Sequence, residues 1–185
     1  MKKSVYLAGP IENCTSKEIS QWREECSAAF LENIVAINPY RAEFESTYAE
    51  TKKRIMMKNY MDTQACDLIL AYLPKEINDR RPSYGTVFEI AWGYSLQKPV
   101  VIVSDDDKVH NHPLLFTSGA LFYTLECAVD YINILLGEYR SVGKSGNPPA
   151  LGAGDREFES LYPDNGKYQF SPTKSPVSRW GSCIS

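Results

Sequence analysis

The chain has 185 residues, enough for one domain with a sizeable core, and its 43% hydrophobic and 23% charged residues are ordinary for a soluble globular protein. Its net charge of −3 gives no electrostatic footprint for nucleic-acid binding, and no apolar run approaches the roughly 20 residues of a membrane span. The 5 cysteines are widely spaced and the 2 histidines share one polar loop, so neither set predicts a metal site. We therefore expect a cytoplasmic protein with reduced cysteines.

Short apolar runs alternate with stretches of helical periodicity along most of the chain. The apolar runs predict buried strands, because turn residues such as Gly9-Pro10 and Asn38-Pro39 follow them. The predicted order is a strand at 5–8, a helix at 16–32, a strand at 34–37, a helix at 49–65, a strand at 68–72, a helix at 86–96, strands at 100–103 and 120–123, and a helix at 126–136. This alternation predicts an α/β protein with a flavodoxin-like or Rossmann-like, doubly wound, five-stranded parallel sheet and helices on both faces.

Ligands bind to doubly wound sheets beyond the carboxyl ends of the strands. The residues at 9–11, the loop at 73–85 and the loop at 104–113 all follow predicted strands, so they are candidates for a binding site. Asp67 differs from them, because it comes just before a strand.

The last part of the chain differs in composition from the rest. Residues 141–185 hold 6 of the 11 glycines and 5 of the 11 prolines, and they show neither helical nor strand periodicity. We therefore predict a catalytic domain at 1–140 and a flexible tail at 141–185.

One carboxylate stands out in the predicted helix at 86–96. Glu89 is the only charged residue in this apolar segment, and the spacing from Thr86 to Glu89 fits a capping box in the first helical turn. Glu89 is therefore either a helix cap or a carboxylate held in a pocket for chemistry. The segment alone does not decide between them.

Four segments resemble the nucleoside 2-deoxyribosyltransferase superfamily in order and spacing, and together they cover about residues 4–137. They are VYLAGPI at 5–11, ACDLILA at 65–71, GTVFEIAWG at 85–93 and KPV at 98–100. The resemblance implies an enzyme that cleaves or exchanges N-glycosidic bonds, with Glu89 as the nucleophile that attacks C1′ of the sugar. We expect the helix N-terminus to keep Glu89 ionised.

The sequence departs from the transferases at one position. They carry an aspartate six residues before the glutamate, where this chain has Ser83. Serine at that position resembles the branch that acts on nucleoside 5′-monophosphates, which includes the 2′-deoxynucleoside 5′-phosphate N-hydrolases and the CMP hydrolases. An aspartate would repel a phosphate dianion, whereas the Ser83 hydroxyl and the Gly85 N–H would bind it. Arg80 and Arg81 are close enough in sequence to help, but the pattern favours a solvated loop for them over a phosphate contact.

The resemblance also implies roles for other residues. Asp67 would be a proton donor to the leaving base or an anchor for a sugar hydroxyl, and Gly9 would let the backbone approach the ligand. The remaining implied substrate contacts are Tyr6 on the first strand, Ile11, Tyr40 and Arg41 at the base, and Asn111, His112 or Ser118 contributed by a neighbouring subunit. A homo-oligomer, at least a dimer, is therefore expected, with a small-molecule substrate and no metal or organic cofactor.

Three functions follow from these observations. The first is hydrolysis of a (deoxy)ribonucleoside 5′-monophosphate to the free base and the sugar phosphate. The second is exchange of bases between deoxynucleosides by a transferase. The third is a non-catalytic module that senses nucleotides.

Overall fold

The structure, a computed structural model, describes residues 2–41, 49–75, 82–105 and 109–137. The predicted tail at 141–185 lies outside the described residues, as do Arg80 and Arg81. In the described part of the chain, no helix is both long enough and apolar enough to cross a membrane.

The strands and helices alternate in the predicted order. They are β1 (Lys3–Ala8), α1 (Ser16–Ala29), β2 (Ile34–Ile37), α2 (Ala49–Ala65), β3 (Leu68–Leu73), α3 (Tyr84–Ser95), β4 (Val100–Ser104), α4 (Pro113–Phe116), β5 (Ala120–Phe122) and α5 (Leu125–Leu136). The short helix α4 was not predicted, and α3 begins two residues earlier than predicted. Thr15 caps α1 in a complete capping box with Glu18.

The sheet confirms the predicted fold class. All neighbouring strands are parallel, and their order is β2-β1-β3-β4-β5. The chain moves from β1 to β2 on one side and then crosses to β3 on the other, so the strand order reverses between β1 and β3. In such sheets a crevice opens at this point, beyond the carboxyl ends of the two strands.

Each face of the sheet has its own core. Val5 and Leu7 of β1 pack in a cluster with Trp22 of α1 and Ala128 of α5. The alternate residue Tyr6 packs in a second cluster, which includes Ile90 of α3. Since successive side chains of a strand point to opposite faces, β1 directs Tyr6 towards α3.

Gly93 lets α3 approach the sheet closely. A Cβ atom on Gly93 would lie 2.7 Å from Cδ1 of Ile69 and 2.8 Å from Cγ2 of Val100, which is closer than carbon atoms pack. A larger residue would push α3, and with it Glu89, away from the strands.

Candidate active site

Glu89 is not a helix cap. Helix α3 begins at Tyr84 with Ser83 as the N-cap, so Glu89 lies in the second turn, and the expected position in the first turn is wrong. The Thr86 side chain does not cap the helix either, because its hydroxyl is hydrogen-bonded to the Ser83 hydroxyl at 2.8 Å. The helix therefore leaves the Glu89 carboxylate free for other contacts.

Two side chains donate hydrogen bonds to the same oxygen of Glu89. The Tyr6 hydroxyl donates to Oε1 at 2.6 Å, and the Asn59 amide donates to Oε1 at 3.3 Å. Among the described residues, no hydrogen bond reaches Oε2. Glu89 is only 6% exposed, and it lines a cavity. One oxygen is thus fixed by the protein, and the other is available to a ligand.

Burial raises the pKa of Glu89 to about 7, because the charged form loses its hydration. The hydrogen bond from Tyr6, the charge of Arg23 and the hydrogen bond from Asn59 oppose this shift. We expected the helix N-terminus to keep Glu89 ionised, and that expectation needs correction because burial dominates over the stabilising groups. The carboxyl group exchanges its proton near neutral pH, as suits a catalytic group.

Arg23 is the buried cation behind this site. Its guanidinium donates to the carbonyl oxygens of Gly9 at 3.0 Å and Leu7 at 3.4 Å, and it lies 4.4 Å from the centre of the Trp22 ring. Burial lowers the pKa of Arg23 to about 10, and the negative charge of Glu89 opposes this effect. Arg23 therefore remains a cation at neutral pH, and it fixes the backbone after β1.

Two adjoining cavities surround the Asn59 side chain. The larger, of about 500 Å³, is lined by Glu12, Lys52, Ile55, Met56, Asn59, Gly85, Phe88, Glu89 and Trp92. The smaller, of about 390 Å³, is lined by Ile11, Glu12, Cys14, Ser16, Ile19, Pro39, Tyr40, Arg41, Ile55 and Asn59. Glu12, Ile55 and Asn59 border both. Together the cavities have the size of a small-molecule site.

The smaller cavity brings together three residues that were predicted to contact the base. Ile11, Tyr40 and Arg41 all line it. The Arg41 guanidinium donates to Asp62 at 2.6 Å, and Lys58 also pairs with Asp62. Asp62 therefore holds Arg41 at the cavity wall.

Asp67 lies at the amino-terminal edge of the sheet. Its carboxylate accepts hydrogen bonds from the Ser4 N–H at 2.8 Å, the Ser4 hydroxyl at 3.0 Å and the Lys3 ammonium at 3.0 Å, at the start of β1. The hydrogen bond from the Ser4 backbone, followed by that from Lys3, lowers the pKa of Asp67. The expected contact of Asp67 with the leaving base or a sugar hydroxyl beside Glu89 is therefore wrong, because the residue before a parallel strand belongs to the amino-terminal edge.

Gly9 lies against the Trp22 ring. A Cβ atom there would lie 2.5 Å from Cζ2 of the Trp22 ring and 3.3 Å from a nitrogen of Arg23. The packing of Trp22 therefore requires glycine at this position, and the expected approach of the ligand to Gly9 stays a prediction.

Ser83 and Gly85 lie at the start of α3. The Ser83 N–H donates to Nε2 of the buried His110 at 3.1 Å, which ties the helix start to the segment after β4. Gly85 lines the larger cavity, and a Cβ atom there would meet no other atom within 4 Å. The position of a Gly85 side chain is therefore open space beside the first turn of α3.

The residues expected to serve a neighbouring subunit lie around α4. Asn111 is exposed, Nδ1 of His112 accepts from the Leu114 N–H, and the Ser118 hydroxyl donates to the Leu114 carbonyl. None of the three is among the described residues that line the two cavities of this protomer. Their contribution to another subunit stays a prediction.

The family model described as Nucleoside 2-deoxyribosyltransferase matches residues 5–166. The chain belongs to this family. The match includes Tyr6, Asn59 and Glu89, and it extends past the predicted domain boundary at residue 140. No curated protein matches the chain.

Solved structures of low sequence identity share the fold. A 2-deoxyribosyltransferase from Bacillus psychrosaccharolyticus is 20% identical with a TM-score of 0.57, and the alignment covers 72% of this chain and 95% of that one. A conserved protein from Enterococcus faecalis V583 is 18% identical with a TM-score of 0.58, and the alignment covers 74% of this chain and 100% of that one. A molybdenum cofactor binding protein from Rippkaea orientalis is 15% identical with a TM-score of 0.50, and the alignment covers 73% of this chain and 98% of that one.

Sequence reasoning missed Asn59, Arg23 and Lys52. A signal existed for Arg23, because its spacing places it on the same helix face as Ile19 and Cys26, and it is the one charged residue among the buried positions of α1. Asn59 and Lys52 lie on a helix with many polar residues, so nothing in their spacing marks them. Among the described residues, no group of three or more His, Cys, Asp or Glu side chains is placed to hold a metal ion.

Proposed function

We propose that the protein hydrolyses the N-glycosidic bond of a nucleoside 5′-monophosphate and releases the free base and the sugar 5-phosphate. The observation that carries this proposal is the Glu89 carboxyl group. It is buried at a cavity, it titrates near neutral pH, and two donors hold one of its oxygens while the other has no partner among the described residues. This is the arrangement expected of an oriented carboxylate nucleophile.

The reaction proceeds in two steps. Ionised Glu89 attacks C1′ through Oε2, the C1′–N bond breaks, and the electron pair leaves with the base, which takes a proton from water. Water then attacks C1′ of the glycosyl ester, Glu89 leaves as the carboxylate, and the sugar phosphate is formed with retention of configuration. Tyr6 and Asn59 hold Oε1 throughout, so the attacking oxygen keeps its direction.

The base, the sugar and the phosphate of the substrate occupy different regions of the two cavities. The sugar lies beside Glu89 in the larger cavity and beside Asn59, which borders both cavities, and the base enters the smaller cavity beside Ile11 and Tyr40. The phosphate faces the larger cavity near Gly85 and Lys52. There the first-turn N–H groups of α3 and the Lys52 ammonium favour an anion, and Ser83 adds no negative charge.

A panel of nucleotides and the matching nucleosides tests the substrate class. Base release measured by HPLC is expected from at least one 5′-monophosphate, with a kcat/KM at least about 10-fold above that of the matching nucleoside, because the phosphate contributes charge-assisted hydrogen bonds. Lys52→Ala should reduce this ratio, and Lys53→Ala is the matched control. Equal cleavage of nucleosides and monophosphates would contradict the phosphate site.

Base exchange is the second candidate, because the family model carries the name of the transferases. In that reaction the glycosyl ester on Glu89 is attacked by a second base instead of water. A deoxynucleoside donor incubated with an excess of a different free base should then yield the exchanged nucleoside. Release of the donor base without an exchanged product at high acceptor concentration would exclude this candidate. Nucleotide binding without any turnover would instead indicate the sensing module.

We also propose that the protein forms a homo-oligomer in which Asn111, His112 or Ser118 reaches a neighbouring site. Large apolar side chains are exposed on α2 and α3, among them Met56, Met61 and Phe88, and two of these, Met56 and Phe88, line the larger cavity. Light scattering should give at least a dimer. If Ser118 serves the neighbour, a mixture of Glu89→Gln and Ser118→Ala protomers should regain activity, because some mixed sites then contain both intact residues. A monomer with full activity would contradict this.

A further inference from the structure

The Asn59 side chain has one buried atom without a partner. Its Nδ2 group donates to Glu89, but among the described residues no hydrogen bond reaches its Oδ1 atom, although that atom is buried. A buried acceptor left without a donor destabilises the folded state, so such an atom calls for a partner, and a bound ligand is one. Asn59 borders both cavities, and a ligand there would supply the donor.

Glu89 fixes the orientation of the Asn59 amide, because Nδ2 donates to its carboxylate. If the amide were turned round, Oδ1 would face the Glu89 carboxylate, and two acceptors would repel each other. The Tyr6 hydroxyl already donates to the same Oε1 atom, so a proton on Glu89 would sit on Oε2 and would not rescue the reversed amide. The free position beside the nucleophile is therefore an acceptor.

The position of this acceptor identifies the substrate group that it would bind. The attacking oxygen must come within about 3–3.5 Å of C1′. Carbon C2′ is bonded directly to C1′, so the 2′-hydroxyl is the sugar hydroxyl nearest to the reacting carbon and to the groups beside Glu89. We propose that Asn59 Oδ1 accepts a hydrogen bond from the 2′-hydroxyl, so that the substrate is a ribonucleoside 5′-monophosphate in preference to its 2′-deoxy analogue. This inference rests on the proposed function.

The expected preference for ribonucleotides follows from the unpaired acceptor that a bound deoxynucleotide would leave in the site. Without a 2′-hydroxyl, Asn59 Oδ1 stays buried and unpaired in the complex, and sites built to bind a hydroxyl reject analogues that lack it. Hydrogen bonds to the 2-hydroxyl also strengthen as a glycosidic bond breaks. We expect kcat/KM to be about 10- to 100-fold higher for the ribonucleotide than for its deoxy analogue.

Base release from matched pairs tests the proposal, with AMP and dAMP, CMP and dCMP, GMP and dGMP, and UMP and dUMP as substrates. Wild type should prefer the ribonucleotide in every pair that it cleaves. Asn59→Ala should bring the ratio of the two kcat/KM values close to 1. Tyr6→Phe is the matched control, because it removes the other donor to Oε1 and should slow both substrates while keeping the ratio. Asn59→Asp keeps an acceptor and should also keep the preference, at reduced activity.

The outcomes separate this inference from the proposed function. Cleavage of deoxynucleotides as fast as ribonucleotides by wild type would overturn the role of Asn59 and leave the hydrolase intact. An unchanged ratio in a folded Asn59→Ala protein would overturn it too. If no monophosphate is cleaved at all, the proposed function fails and this inference fails with it.

Discussion

The carboxylates of Glu89 and Asp67 differ in their burial and in the direction in which folding shifts their pKa. Glu89 is buried on the face of α3 that covers the strands, and burial raises its pKa to about 7. Asp67 lies at the amino-terminal edge, partly exposed, where Ser4 and Lys3 lower its pKa. Both occupy positions that match the same enzyme family in sequence, but Glu89 lines the larger cavity, whereas Asp67 is not among the described residues that line either of the two cavities. The surroundings of each residue, more than its motif, indicate which carboxylate does chemistry.

The largest expected effect is on kcat, and it should differ between substitutions of Glu89 and of Asp67. Glu89→Gln removes the nucleophile and should reduce kcat for base release by at least about 1,000-fold, as losses of catalytic groups commonly do. Asp67→Asn keeps the size of the side chain at the other edge and should change kcat by less than about 3-fold. Steady-state HPLC assays of both variants check this. A strong loss in Asp67→Asn, with its fold intact by circular dichroism, would restore Asp67 to the mechanism.

A smaller effect is expected in the pH dependence of activity. In the proposed mechanism only ionised Glu89 attacks C1′, so kcat/KM should rise as pH increases through about 7. Tyr6→Phe removes a hydrogen bond that lowers the pKa of Glu89, so it should move this limb of the profile to higher pH. Asp67→Asn should leave the limb in place. A limb that does not move in Tyr6→Phe would show that Glu89 does not control it.

Glu89 should also make stability depend on pH. Its pKa rises from about 4.5 in an unfolded chain to about 7, so its contribution to the free energy of unfolding is complete below pH 4.5 and is lost as pH rises through 7. The loss is on the order of 3 kcal/mol, since one pKa unit corresponds to about 1.4 kcal/mol. Urea unfolding at pH 5 and pH 8 should show this difference in wild type and not in Glu89→Gln. An equal change in the free energy of unfolding between pH 5 and pH 8 in both proteins would contradict the burial of Glu89.

Asp67 should give the smallest effect, with the opposite sign. Its pKa is lowered on folding, so its contribution is present above its ordinary value of 3.8 and is lost as pH falls through the lower folded value. Asp67→Ala should destabilise the protein by only about 1 kcal/mol at pH 7, because the Lys3 pair is partly exposed. Thermal melts at pH 7 measure this. A loss several times larger would show that Asp67 is a main support of the fold.

The sequence predicted the sheet well, because each strand is a continuous apolar run with a turn behind it. The predicted start of α3 is two residues too late, because glycine is typical of turns, whereas Gly85 lies within the first helical turn. The position of Asp67 just before a strand already pointed to the amino-terminal edge, and the family resemblance misled on this point. Asn59 was missed because its importance depends on contact with Glu89, 30 residues away in the chain.

The most direct test of the nucleophile is to trap the glycosyl ester. A substrate nucleotide with fluorine at C2′ destabilises the oxocarbenium-like states, so an ester that forms should break down slowly enough to be isolated. Mass spectrometry of the quenched and digested protein should find the fluorinated sugar phosphate on the peptide that contains Glu89, and on no peptide of Glu89→Gln. An adduct on another residue, or base release from this analogue without any adduct, would contradict the assignment of Glu89.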